Sequence, residues 1–111
     1  MKNFPEISRK KVLVTGSSRG IGLAIAENFA RTGAKVILHG KVEKQLKNKR
    51  SIFEDNGWDV DYIKCDLSNI SEVRKMAKKI LNKEGRIDIL VNNAGINLRN
   101  PLNMMTDSDW H

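Results

Sequence analysis

Glycines at 16, 20 and 22, set in Val12-Leu13-Val14-Thr15-Gly16-Ser17-Ser18-Arg19-Gly20-Ile21-Gly22, are the residues of this 111-residue chain whose type and spacing bear most directly on chemistry. Three apolar residues make a short buried strand, and the glycines let the backbone turn sharply into a helix. A helix begun in this way presents unpaired N–H groups at the positive end of its dipole, and the missing Cβ atoms let an anion approach the main chain closely. The chemistry that follows is phosphate binding. The spacing, Gly-x-x-x-Gly-x-Gly, differs from the Gly-x-Gly-x-x-Gly of many dinucleotide sites, and it lacks the Gly-Lys-Ser/Thr of the P-loop.

The other reactive residue types offer less. Cys65 stands alone, so it makes no internal disulfide, and its place after Tyr62-Ile63-Lys64 reads as a buried, inert thiol. His39 and His111 are too isolated for metal binding or acid–base work, and no Cys/His/Asp cluster has ligand spacing, so no metal is expected. Met76, Met104 and Met105 read as packing residues.

The elements that must position the glycine turn follow in a regular order. A strand over 11–15 leads into it, and Ile21, Ala24, Ile25 and Phe29 then recur at helical spacing up to a stop at Thr32-Gly33. Val36-Ile37-Leu38 is a second strand, apolar without alternation, as expected of a parallel sheet covered on both faces. A charged helix over 42–56, with Leu46, Ile52 and Phe53 as its apolar stripe, ends at Gly57. A third strand spans 60–65, and Asp66-Leu67-Ser68-Asn69 turns the chain into a helix whose apolar face is Val73, Met76, Ala77, Ile80 and Leu81. That helix ends near Gly85, and a fourth strand over 87–91 stops at Asn92-Asn93-Ala94-Gly95.

Four strands alternating with helices predict an α/β fold, an open parallel sheet with right-handed crossovers and strand order 3-2-1-4. In that order the chain reverses direction beside strand 1, which puts the glycine turn in the crevice where such sheets bind ligands. Residues 1–10 read as an irregular lead-in.

Composition narrows the partners. The net charge of +7 admits an anionic ligand, yet the lysines of 41–50 and 74–83 fall on predicted helices and have no interleaved aromatics. Nucleic-acid binding is therefore not expected. No run approaches the roughly 18 apolar residues of a membrane span, and no apolar signal core follows Lys2, so a cytoplasmic protein without membrane contact is expected.

Thr15-Gly16-Ser17-Ser18-Arg19-Gly20-Ile21-Gly22, with Asp66 after strand 3 and Asn92-Asn93-Ala94-Gly95 after strand 4, resembles the short-chain dehydrogenase/reductase family. The resemblance covers residues 11–111. Within the family, the run from Ile89 to Ile96, continuing through Arg99, Leu102, Met104, Met105, Asp107 and Trp110, is similar to the 3-oxoacyl-(acyl carrier protein) reductases of fatty-acid synthesis. The resemblance implies a doubly wound sheet of the Rossmann type, with residues 1–111 as the N-terminal part of one NAD(P)-binding domain. It further implies reduction of a carbonyl, on acyl carrier protein or another small substrate, to a secondary alcohol, in a dimeric or tetrameric homo-oligomer.

For individual residues, the resemblance implies that Gly16, Ser17, Ser18, Arg19, Gly20, Ile21 and Gly22 line the cofactor's ribose and pyrophosphate. Asp66 and Leu67 would meet the adenine, and Asn93, Ala94 and Gly95 the adenosine ribose, while Asn92 would hold strand 4 to its neighbours. The end of strand 2 reads His39-Gly40-Lys41, with no acid for a ribose 2′-OH. Arg19 and Lys41 could instead reach a 2′-phosphate, so NADP is the expected cofactor; Glu43 is the one nearby acid.

The family's catalytic pattern, a Ser followed downstream by Tyr-x-x-x-Lys, has no match in these residues. Tyr62, the one tyrosine, has Asp66 at the fourth place after it. With Thr106 as a cap, 106–110 looks like the start of a helix. The chain is therefore expected to be an N-terminal fragment or a truncated form, inactive alone and poorly soluble because of an exposed apolar sheet edge. A non-catalytic nucleotide-binding or partner-binding remnant of the same family is the alternative.

Overall fold

The computed structural model describes residues 7–94. Seven elements alternate: β1 (Lys11–Val14), α1 (Gly20–Arg31), β2 (Lys35–Gly40), α2 (Glu43–Asp55), β3 (Val60–Lys64), α3 (Ile70–Glu84) and β4 (Ile89–Val91). The strands form one sheet in the order β3-β2-β1-β4, as the alternation predicts. All pairs are parallel, with Val12 beside Val36 and Ile89, and Val36 beside Val60.

Side chains of a strand alternate between faces, and two cores follow from that alternation. Val12, Val14, Val36 and Leu38 pack on one face with Ala26 and Ala30 of α1 and Leu46 and Phe53 of α2. Leu13, Ile37, Ile63 and Cys65 pack on the other with Met76 and Ile80 of α3. The sheet is thus doubly wound, and Cys65 is a buried free thiol, as expected.

The helix faces depart from the sequence pattern in three places. On α1 the residues against the sheet are Gly22, Ala26 and Ala30, not the predicted Ile21 and Ala24, and Ile21 is 57% exposed. Small residues at i, i+4 and i+8 let the helix axis come close to the strands, while Leu23, Ile25 and Phe29 wrap the flanks. On α2, Ile52 is half exposed because Leu46 and Phe53, two turns apart, already fill the contact. On α3, Leu81 is 53% exposed and Ala77 is exposed as well.

Leu81 and Leu90, the latter 61% exposed, rim an apolar hollow of about 430 Å³ that opens beside α3 over β1 and β4. Among the described residues, this part of the sheet is covered on one face only, in contrast to the covering on both faces read from the apolar strands. β4 is also shorter than predicted: Asp88 enters by donating its N–H to the Lys11 carbonyl, and the ladder begins at Ile89.

At the amino ends of the strands, Glu84 is buried with Lys35 Nζ 2.8 Å from Oε1 and Lys11 Nζ 3.7 Å away. This pairing fixes the end of α3 to the starts of β1 and β2. The carboxyl ends of the same strands are left for the glycine turn.

Candidate functional site

The turn between β1 and α1 is built from both sides. Gly16 has a φ of +62°, a left-handed conformation in which a side chain is strained. Its carbonyl accepts a hydrogen bond from Asn93 Nδ2 at 3.1 Å. Its N–H donates to His39 Nδ1 at 2.9 Å. Ser17, fully buried, donates its N–H to the His39 carbonyl at 2.8 Å and accepts the His39 N–H on Oγ at 2.9 Å. The entry to the turn is therefore clamped between the ends of β2 and β4.

Beyond Ser17 the character changes. Arg19 is extended at the N-cap of α1, makes no side-chain capping bond and is exposed. Gly20 has a φ of +61°, and a Cβ placed on it would meet nothing within 4 Å. The N–H groups that open α1 have no partners within the helix. Arg19, Gly20 and Ile21 thus form an open, positively polarised surface, whereas Gly22 is turned inward. A Cβ on Gly22 would lie 2.2 Å from the Gly16 carbonyl oxygen and 2.6 Å from Asn93 Nδ2.

The β4 end is joined to the turn through Thr15, which is buried. Its N–H donates to the Val91 carbonyl at 3.0 Å, its hydroxyl lies 3.3 Å from Asn92 Oδ1, and the same hydroxyl accepts the Ala94 N–H at 3.0 Å. Asn92 holds the strand end, as expected, and Asn93 and Ala94 reach Gly16. Gly95, the last residue of that motif, lies outside the described residues, as do Arg99, Leu102, Met104, Met105, Thr106, Asp107 and Trp110.

At the far side, Asp66 closes an Asx turn: Oδ1 accepts the Ser68 N–H at 3.0 Å and the Ser68 hydroxyl at 2.7 Å. The Ser68 hydroxyl, above all, and the Ser68 N–H hold the Asp66 carboxyl below its ordinary range. Asn69 caps α3 by accepting the Glu72 N–H, and Glu72 returns a carboxylate to the Asp66 N–H. Leu67 packs against the core beside α3.

Lys41 follows β2 directly and is exposed, and Gly40 lies against Ser18. Glu43 is drawn away from this end. It accepts the Tyr62 hydroxyl at 3.0 Å, and Lys47 Nζ is 3.9 Å from the same carboxylate. Arg19 and Lys41 are thus exposed cations just past the carboxyl ends of β1 and β2, while Glu43 is engaged by Tyr62 and the Asp66 carboxyl by Ser68.

Two residues hold the site that sequence reasoning does not assign to it, His39 and Thr15. In the sequence Thr15 stands only as the first residue of the glycine motif and His39 as the residue that ends strand 2 before Gly40-Lys41, neither with a role of its own. Among the described residues no group of His, Cys, Asp and Glu could hold a metal ion, and no helix is long and apolar enough to cross a membrane.

Comparison with known proteins agrees with this geometry. A family model described as short chain dehydrogenase matches residues 10–111. The 3-oxoacyl-[acyl-carrier-protein] reductase FabG of Chlamydia pneumoniae is 42% identical over 101 residues, which is 91% of this chain and 41% of that protein. Gluconate 5-dehydrogenase of Gluconobacter oxydans is 40% identical over 104 residues, 94% of this chain and 41% of that one. Among solved structures, a metagenomic short-chain oxidoreductase in complex with NADP superposes with a TM-score of 0.76 at 36% identity, covering 93% of this chain and 47% of its own. L-Sorbose reductase of Gluconobacter frateurii, complexed with NADPH and L-sorbose, gives a TM-score of 0.74 at 36% identity, over 93% of this chain and 40% of that one. The chain thus spans about two fifths of the length of these two relatives, FabG and gluconate 5-dehydrogenase.

Proposed function

This chain belongs to the short-chain dehydrogenase family, and from that membership we propose that it forms the dinucleotide-binding half of an NADPH-dependent carbonyl reductase. The observation that carries this reading is the open surface of Arg19, Gly20 and Ile21 at the start of α1, where the strand order reverses beside β1. The pyrophosphate meets the N–H groups there, Asn93 and Ala94 flank the adenosine ribose, and Asp66 and Leu67 border the adenine. Bound NADPH supplies a hydride to the carbonyl carbon. The chain's own part is to hold and orient the dinucleotide.

Arg19 and Lys41 favour a 2′-phosphate, and no carboxylate stands at the end of β2 to receive a 2′-OH. The substrate class we propose is a 3-oxoacyl group on acyl carrier protein, supported by the 42% identity to FabG. A sugar acid is the second reading, supported by the 40% identity to gluconate 5-dehydrogenase. The working form is proposed to be a homo-oligomer in the cytoplasm.

Calorimetric titration tests the cofactor assignment. NADPH is expected to bind more tightly than NADH, and Lys41→Ala to weaken NADPH by roughly tenfold while leaving NADH unchanged. Tighter binding of NADH would overturn the choice of NADPH. Residues 1–111 lack a Tyr-x-x-x-Lys, and Tyr62 is bonded to Glu43, so they are expected to bind without turnover. Oxidation of NADPH by this chain in the presence of a 3-oxoacyl thioester would contradict that.

A further inference from the structure

His39 is 2% exposed, and both of its ring nitrogens are engaged: Nδ1 lies 2.9 Å from the Gly16 nitrogen and Nε2 2.9 Å from the Cys65 carbonyl oxygen. The chemistry of the two partners fixes the ring's state. A backbone N–H only donates, so Nδ1 is the bare acceptor; a carbonyl only accepts, so Nε2 carries the proton. The ring is a neutral imidazole in one tautomer. It spans from the end of β3, where the chain turns to Asp66, to the first residue of the glycine turn.

We propose that His39 is a positioning residue for the dinucleotide, holding Gly16 in its left-handed conformation through the Gly16 N–H···Nδ1 bond, so that cofactor affinity depends on His39 remaining neutral. This rests on the nucleotide reading of the turn. With the Gly16 N–H directed to His39, the Gly16 carbonyl is free to receive Asn93 Nδ2, and the chain leaves Ser17 toward the open face at Gly20. A proton on Nδ1 would set two donors against each other at a buried position. The bond could not persist, and the entry to the turn would lose its support on the β2 side.

The surroundings oppose that proton. Burial, first, and then the charge of Lys41 push the ring below its ordinary value near 6.5, against the pull of the Cys65 carbonyl. Just past β3 the neighbour is Cys65, whose thiol burial pushes up and so keeps neutral. Asp66 turns its carboxylate to Ser68, and Glu72 of α3 is engaged by the Asp66 N–H. The glycine turn offers the uncharged Ser17 hydroxyl, and from α2 Leu46 stands behind Gly40. Among the described residues no carboxylate contacts the ring.

Two amide substitutions separate the two bonds, because the amide of Asn stands near Nδ1 and that of Gln near Nε2. His39→Asn keeps an acceptor for Gly16 and gives up Cys65; His39→Gln keeps a donor for Cys65 and leaves the Gly16 N–H unpaired. NADP+ binding is measured by calorimetry at about pH 7.5, with thermal melts beside it. H39N is expected to stay within roughly threefold of wild type and H39Q to fall by about tenfold or more.

Equal losses in the two variants, or no loss in either, would overturn the proposal. A 15N ring spectrum at neutral pH showing the proton on Nδ1 would do the same without any ligand. If wild type binds neither NADP+ nor NAD+, the nucleotide reading fails and takes the cofactor role of His39 with it. Wild-type binding with H39N and H39Q indistinguishable removes this inference alone.

Discussion

At the scale of residues, glycines of one motif are required for different physical reasons. Gly20 is needed for its φ of +61°, since space is open around it; Gly22 is needed for proximity, since a Cβ would reach within 2.2 Å of the Gly16 carbonyl oxygen. Gly20→Ala is therefore expected to cost about 1–2 kcal/mol through backbone strain while the turn keeps its place. Gly22→Ala must push α1 off the turn, at a cost of about 1–3 kcal/mol, and should also abolish nucleotide binding. Urea unfolding and calorimetry on the two variants check this; equal nucleotide affinity in both would refute the distinction. The spacing of the glycines was legible in the sequence, but not which of them lies open and which is turned inward. His39 was the harder case. In sequence it is a lone histidine 22 residues from Ser17, and its role exists only because β2 runs beside β1 and brings its ring to Gly16.

At the scale of elements, the alternation of apolar runs with helical periodicity was enough to order all seven elements and the sheet, because β1, β2 and β4 each carry a continuous apolar run and β3 one interrupted by Asp61, all bounded by turn residues. The helix faces were less legible. On α1 the largest apolar residues suggested a face, yet the closest approach is made by Gly22, Ala26 and Ala30, residues too small to register as hydrophobic anchors. The support at the end of α3 was likewise hidden: Glu84 is one charge among many in a charged helix, and it is buried because two strand starts deliver Lys11 and Lys35 to it. Glu84→Gln is expected to cost about 2 kcal/mol, as the loss of charged hydrogen bonds at a buried position should. The hydrogen bond to Glu84 is the main cause that raises Lys35 above its ordinary 10.5. A raised lysine contributes stability fully below about pH 10.5 and loses it as pH rises through the higher folded value. Wild type should therefore lose stability in that alkaline window and E84Q should not. Parallel pH–stability curves would show that the pair contributes nothing.

At the scale of the molecule, β1 and β2 each have a strand on both sides, whereas β3 and β4 are edges among the described residues. Hydrogen exchange should follow: slowest at Val12–Val14 and Val36–Leu38, faster in β3, and fastest in the three-residue β4 beside the apolar hollow. Uniform protection across the four strands would contradict this ordering. The two faces also differ in how far along the chain their parts are found. The buried cluster under α1 and α2 is complete by Phe53, while the one under α3 waits for Ile80. During synthesis from the amino end, the first layer can therefore collapse while β4 is still inside the ribosome. The glycine turn would then gain its partner His39 early, and its bond to Asn93 only after the last strand has emerged.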